Sequence, residues 1–205
     1  MLENKNHWYD GWFYDTFIAP NQDRLFSEIK NLIKPNSRIL DVGCGTGRFS
    51  FFIADKCSSV VGIDLSQRNI EKAKKNLQKE INSKISFKHT DISELVKQEN
   101  HYDYAVLTYV IHEVNEDERV PLLSQISQIA DKILIGDYLV PRNKRFWNLL
   151  NELVEFAAGT EHYKNYKNYC HIGGIQDLAR QANLKIISEI RNRPLTSHLV
   201  VLAKR

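Results

Sequence analysis

Asp41-Val42-Gly43-Cys44-Gly45-Thr46-Gly47 is the stretch of this chain whose residue types and spacing suit it to hold a charged small molecule. Glycines lack Cβ atoms, so the backbone can turn sharply and approach a ligand closely. The spacing Gly43-x-Gly45-x-Gly47 departs from the dinucleotide fingerprint, which has two residues before its third glycine. No Lys-Ser/Thr pair follows the glycines, which excludes a triphosphate loop. Asp41 narrows the choice further, because a carboxylate ahead of the turn opposes a pyrophosphate and suits a ligand with an ammonium group. Asp64 and Asp91 follow two later apolar runs. An acid there can accept hydrogen bonds from a ligand, or it can be an ordinary strand-end cap or turn residue.

The elements that must position these residues read as alternating strands and helices. Arg38 to Val42 is a short apolar run that stops at glycines, as a buried parallel strand does. Gly45 to Cys57 reads as a helix with Phe49, Phe52, Ile53 and Cys57 on one side, and Ser59 to Ile63 as the next strand. Ser66 caps a helix carrying Ile70, Ala73, Leu77 and Ile81. Strands follow at Ile85 to Phe87, Tyr102 to Leu107 and Ile133 to Ile135, separated by helices around Leu95 and across Leu122, Leu123, Ile126 and Ile129. Ahead of them all, Leu25, Phe26, Ile29, Leu32 and Ile33 share one helical face. This alternation predicts an α/β fold, a Rossmann-like, mostly parallel sheet with helices on both faces. Leu184 to Ile187 and Leu199 to Leu202 bring the strands to seven, and the short link between them predicts a C-terminal antiparallel hairpin. One domain over 1–205 is expected, with an N-terminal aromatic segment and helix (1–34), a ligand-binding core (35–137), a cover insert (138–172) and a final helix with the hairpin (173–205). The insert holds an amphipathic helix from Phe146 to Phe156 and a less regular polar, aromatic tract, Glu161 to Tyr166.

Composition bounds the partners. The chain has 205 residues, 42% of them hydrophobic and 26% charged, an ordinary globular balance. Its 28 basic and 25 acidic residues are interspersed, so the net charge of +3 does not point to nucleic acid. Cys44, Cys57 and Cys170 are too few and too far apart for a disulfide framework or a zinc knuckle. No signal-peptide order and no membrane-length apolar run is present, so a cytoplasmic protein, monomer or homodimer, is expected.

The loop Asp41 to Gly47 resembles the first motif of the class I S-adenosylmethionine-dependent methyltransferases. Val61-Gly62-Ile63-Asp64-Leu65-Ser66 resembles their second-strand motif, Thr90-Asp91-Ile92 the third, and Tyr102 to Leu107 followed by Ile111-His112-Glu113-Val114 the fourth; the terminal strand pair resembles their reversed hairpin. The resemblance covers nearly the whole chain. It implies S-adenosylmethionine as cofactor, with Asp41 and the backbone around Gly43 and Gly45 holding its methionine part. Asp64 would accept from both ribose hydroxyls, Asp91 would bond the adenine amino group, Leu65 and Ile92 would sandwich the ring, and Thr108 would line the methionine and substrate side.

Methyl transfer from a sulfonium is an in-line displacement, and a general base helps where the acceptor carries a proton of high pKa. His112 is the candidate base, since it follows the fourth strand; its structural alternative is a cap for the next helix. His162, Tyr163 and His171 in the insert are candidates for the substrate pocket. So are Tyr9 and Tyr14 in the aromatic N-terminal segment, which reads equally as a lid or as core. The Asp/Asn-Pro-Pro-Tyr/Phe sequence of nucleic-acid amino methylation is missing, and the cysteines are too few for the arsenic type. The metal-dependent catechol type expects acids at the ends of the fourth and fifth strands, and only Asp137 qualifies, so no metal is expected. A small molecule or a short peptide is the expected acceptor. Two rivals remain: a nicotinamide-dependent oxidoreductase on a similar sheet, and a methyltransferase-like binding module without turnover.

Overall fold

Alternation along the central strands decides the architecture. In a computed structural model describing residues 19–80, 82–141, 159–192 and 196–205, with side chains from Gln22 on, Leu40, Ala105, Leu107, Ile133 and Ile135 point to one face of a sheet. Ile39, Tyr104, Val106 and Leu134 point to the other. Each face then needs a layer of helices, because strands that are apolar on both sides cannot face water.

The elements are α1 (Ala19–Leu32), β1 (Ser37–Val42), α2 (Arg48–Ile53), β2 (Cys57–Asp64), α3 (Gln67–Glu80), β3 (Ile85–His89), α4 (Ile92–Lys97), β4 (Tyr102–Thr108), α5 (Glu116–Ile129), β5 (Ala130–Tyr138), α6 (Thr160–His171), α7 (Gly174–Gln181), β6 (Leu184–Arg191) and β7 (Ser197–Lys204). The sheet has seven strands in the order β3-β2-β1-β4-β5-β7-β6. β1 to β5 pair in parallel, and β7 runs antiparallel to both β5 and β6. The Rossmann-like sheet and its terminal hairpin are as the sequence predicts. Leu25, Phe26 and Ile29 of α1, Phe49 and Ile53 of α2, and Ile70 and Ala73 of α3 cover one face. Leu95 of α4, Leu123 and Ile126 of α5, and Ile175 and Leu178 of α7 cover the other. Among the described residues no helix is long and apolar enough to cross a membrane.

Three local expectations change. The helix expected over Gly45 to Cys57 is shorter. Gly47 caps α2 in the left-handed region, and a 3-10 turn (Ala54–Lys56) ends it because Cys57 pairs with Ser37 at the start of β2. Leu32 stands 38% exposed at the last residue of α1. The tract Glu161 to Tyr166 is not irregular: it lies within α6, whose buried face is His162, Tyr166 and Tyr169, helical spacing carried by side chains with polar tips. Ser66 caps α3 as expected, its hydroxyl accepting from the Asn69 amide at 3.3 Å. Tyr9 and Tyr14, and the helix expected around Phe146 to Phe156, lie outside the described residues.

Candidate active site

The carboxyl end of β1 and the loop after it lie where parallel sheets bind ligands, beside the point at which strand order reverses between β1 and β4. The Gly43 and Cys44 amides both donate to the Ile63 carbonyl, at 2.8 and 2.9 Å, which ties the loop to the end of β2. Asp64 completes the tie: Oδ2 accepts from the Gly45 amide at 2.8 Å and Oδ1 from the Ser66 amide at 2.7 Å. A carboxylate oxygen can accept more than one hydrogen bond, the chemistry that suits an acid to a ligand hydroxyl. Gly43 and Gly45 both have positive φ, +70° and +53°. A Cβ on Gly43 would meet Val110 Cγ2 at 2.6 Å, whereas one on Gly45 would project into open space. The loop is therefore roofed by Val110 at one glycine and open at the next.

Asp41 sits beneath this loop at 1% exposure. Its Oδ2 accepts from the Ser50 hydroxyl at 2.6 Å, and its Oδ1 is buried without a hydrogen-bond partner. Burial pushes its pKa up to about 7; the Ser50 bond opposes this and the nearby Asp64 charge adds to it. A buried acceptor with an open oxygen fits a ligand ammonium, which would supply the missing donor and the missing counter-charge.

At the next strand end Asp91 is the N-cap of α4. Its Oδ1 accepts from the Ser93 hydroxyl at 2.6 Å and the Glu94 amide at 3.2 Å, and its pKa is lowered chiefly by the Ser93 bond. Both of these side-chain bonds fall on a single oxygen. Leu65 is 40% exposed beside Asp64, while Ile92 is buried in the core with Leu95. Thr108 is half-buried at the end of β4.

The loop after β4 carries the second half of the site. Tyr109 adopts φ +57°, rare for a bulky residue, while its amide donates to the Gly136 carbonyl at 2.8 Å. Val110 then reaches over Gly43, and His112 is delivered to the end of β5. His112 is 2% exposed; its Nδ1 lies 2.7 Å from Asp137 Oδ1, and its amide donates to Asp137 Oδ2 at 3.4 Å. A carboxylate only accepts, so the proton of the neutral ring sits on Nδ1 and the basic nitrogen is Nε2. Asp137 is fully buried and also accepts from the Tyr138 amide at 2.7 Å. It is thus turned to His112 rather than offered as a strand-end metal ligand of the catechol type.

Aromatic side chains surround the imidazole. The ring of Tyr138 is 4.8 Å away, His162 5.6 Å, Tyr166 6.1 Å and Tyr169 6.4 Å between centroids. His162 therefore joins His112. Tyr163 is half-buried on the same helix, and His171 is exposed at the helix end. Arg119, fully buried, fastens this side of the molecule. Its guanidinium donates to the carbonyls of Val114 (2.8 Å) and Asn165 (2.7 Å), the Asn168 side chain (2.8 Å) and, at 3.4 Å, the His112 carbonyl. Sequence reasoning missed Arg119 and the His112–Asp137 pairing. Arg119 lies on the Leu123–Ile126 side of α5, and that register was its available signal.

Comparisons with known proteins agree with this geometry. Residues 39–132 match the model of a family described as a methyltransferase domain. The chain is similar to an uncharacterized protein of Haemophilus influenzae, 33% identical over 120 residues that make up 57% of this chain and 44% of that one. It is also similar to the O-antigen chain terminator bifunctional methyltransferase/kinase WbdD of Escherichia coli, 26% identical over 163 residues, 72% of this chain and 23% of that enzyme. The chain thus spans less than half the length of these two curated relatives. Among solved structures, the magnesium protoporphyrin IX methyltransferase of Synechocystis with bound S-adenosylmethionine superposes with a TM-score of 0.66 at 15% identity, over 96% of this chain and 86% of that one. This likeness speaks for the fold. With the family match over residues 39–132, the loop geometry and the reversed hairpin, it decides against the nicotinamide reading: residues 39–132 carry a methyltransferase domain, a domain whose cofactor is S-adenosylmethionine.

Proposed function

We propose that the chain transfers a methyl group from S-adenosylmethionine to a small-molecule or short-peptide acceptor, with His112 as the general base. The observation that carries this reading is the Asp137–His112 pair, which joins β5 to the same loop whose Val110 roofs the glycine turn. When bound, the cofactor supplies an electrophilic methyl group on a sulfonium. Asp41 and the Gly43–Gly45 backbone hold the amino-acid end, Asp64 takes the ribose hydroxyls, and Asp91 with Leu65 and Ile92 contacts the base. Thr108 lines the approach to the methyl carbon. His112 Nε2 would take the proton that the acceptor gives up on methylation. Asp137 keeps the imidazole in the tautomer that can take that proton, and stabilises the imidazolium that results. The aromatic walls from Tyr138, Tyr166 and His162 exclude water around the transfer. Tyr163 and His171 remain pocket candidates on α6. The three free cysteines suit a reducing, cytoplasmic setting.

Release of S-adenosylhomocysteine, measured over a panel of phenols, carboxylates, amines, thiols and short peptides, tests the reading. A turned-over acceptor should lose about 10²–10⁴-fold in rate with His112→Ala, while S-adenosylhomocysteine affinity stays as in the wild type. Equal loss of affinity and rate, or no loss of rate, refutes the base. Tight binding without release for any acceptor leaves a binding module instead.

A further inference from the structure

The geometry points to a metal site: His112 Nε2, the Glu113 carboxylate and His162 Nε2 form a three-residue site for a divalent transition-metal ion of the zinc class. One ligand atom from each lies within 4.8 Å of the others. Glu113 Oε1 stands 3.9 Å from His112 Nε2 and 3.8 Å from His162 Nε2. These gaps are too long for hydrogen bonds. Ligand atoms about 2.1 Å from a tetrahedral ion stand roughly 3.4 Å apart, so an ion would have to draw Glu113 about half an ångström closer to each histidine and bring the two imidazoles together from within 4.8 Å. Two imidazoles and one carboxylate select zinc, cobalt, nickel or ferrous iron over magnesium or calcium.

The surroundings fit a ligand set. Asp137 accepts from His112 Nδ1 at 2.7 Å, the outer carboxylate that commonly orients a metal-binding histidine. His162 rides on α6, which Arg119 clamps through Asn165 and Asn168. Glu113 is one-third exposed and gives a route from solvent, whereas both histidines are buried. The charges of Asp137 and Glu116 act on the buried guanidinium of Arg119. Three protein ligands leave a coordination position open. The set differs from the strand-end acids of the catechol type, and the expectation of no metal rested on those acids alone; His162 enters only through folding. An ion on Nε2 takes the nitrogen assigned above to proton uptake, so loaded and unloaded chains would activate an acceptor differently. That consequence rests on the methyl-transfer reading, while ion binding does not.

Cobalt(II) titration of tag-free protein, followed by visible absorption and by zinc displacement, tests the site. One cobalt per chain is expected, with Glu113→Gln and His162→Ala each weakening it by about tenfold or more and Asp137→Asn by about 10–100-fold. His101→Ala, at the exposed His101–Asp131 pair, should change nothing. No saturable uptake, or uptake indifferent to Glu113→Gln and His162→Ala, overturns the proposal. S-adenosylhomocysteine binding by the same variants reports that they are folded. Loss of that binding in the wild type would refute the cofactor reading and leave the cobalt result readable.

Discussion

Replacing Asp41 by asparagine should stabilise the ligand-free protein and weaken its hold on cofactor, both in a pH-dependent way. The unfolded chain titrates Asp41 near the ordinary 3.8, the folded one at about 7. The native state therefore binds the proton more tightly, so this group's contribution to stability falls as pH rises from about 4 to about 7 and is level above that. At about 1.4 kcal/mol per pKa unit, the ionised carboxylate costs the fold roughly 4 kcal/mol at pH 8 and about 2 kcal/mol at pH 5.5. Asparagine carries no charge at either pH, and its fixed differences from aspartic acid cancel when the two conditions are compared. Urea unfolding of wild type and Asp41→Asn at both pH values should show the variant's advantage about 2 kcal/mol larger at pH 8. Titration calorimetry with S-adenosylhomocysteine supplies the other half. A ligand ammonium that needs the ionised acid should bind about tenfold or more tightly at pH 8 than at pH 5.5 in the wild type, with proton release, and without that dependence in the variant. A stability gain equal at the two pH values would refute the raised pKa. Unchanged affinity in the variant would refute the contact with the ammonium.

Gly43→Ala places a methyl against Val110 in a left-handed turn, and should weaken S-adenosylhomocysteine by about tenfold with a stability loss of roughly 1–3 kcal/mol, read by calorimetry and urea unfolding. Asp137→Asn should slow turnover at saturating cofactor by about 10²–10⁴-fold without altering S-adenosylhomocysteine affinity, because its hydrogen bonds run to His112 and Tyr138 and not to the glycine loop. Arg119→Met should cost roughly 3 kcal/mol in urea unfolding by leaving buried carbonyls without donors. Tyr109→Gly should relieve the positive φ by about 1 kcal/mol while losing the ring contact with Tyr138, and a double-mutant cycle with Tyr138→Leu in urea unfolding separates the two terms.

What was legible in the sequence was whatever depends on neighbours along the chain. Gly43 and Gly45 announce a turn, Ser66 a cap, and alternating apolar runs a parallel sheet, since each signal is complete within a few residues. The partnership of His112 with Asp137 is not local. It depends on β4 lying beside β5 in a register that sets Thr108 opposite Gly136, and no spacing within the sequence encodes that. The α6 face was hidden for another reason. His162, Tyr166 and Tyr169 are buried through their rings while their polar tips count against them in any apolar pattern; the Tyr169 hydroxyl finds the Tyr138 carbonyl at 3.1 Å. Asp91 shows a third case, in which cap and ligand readings stay superposed because one carboxylate has oxygens enough for both.

The place of β7 bears on how this molecule is made. Its residues follow those of every other strand of the sheet, yet form a paired and largely buried strand between β5 and β6. As the polypeptide leaves the ribosome, β1 to β5 are available early, yet β5 keeps a bare edge and β6 has no neighbour until Ser197–Lys204 emerges. The half-made sheet thus exposes an apolar, hydrogen-bond-hungry margin throughout synthesis, a template for pairing with other nascent chains. Closing that margin completes the sheet, and chaperone capture should concentrate on chains truncated just before Ser197.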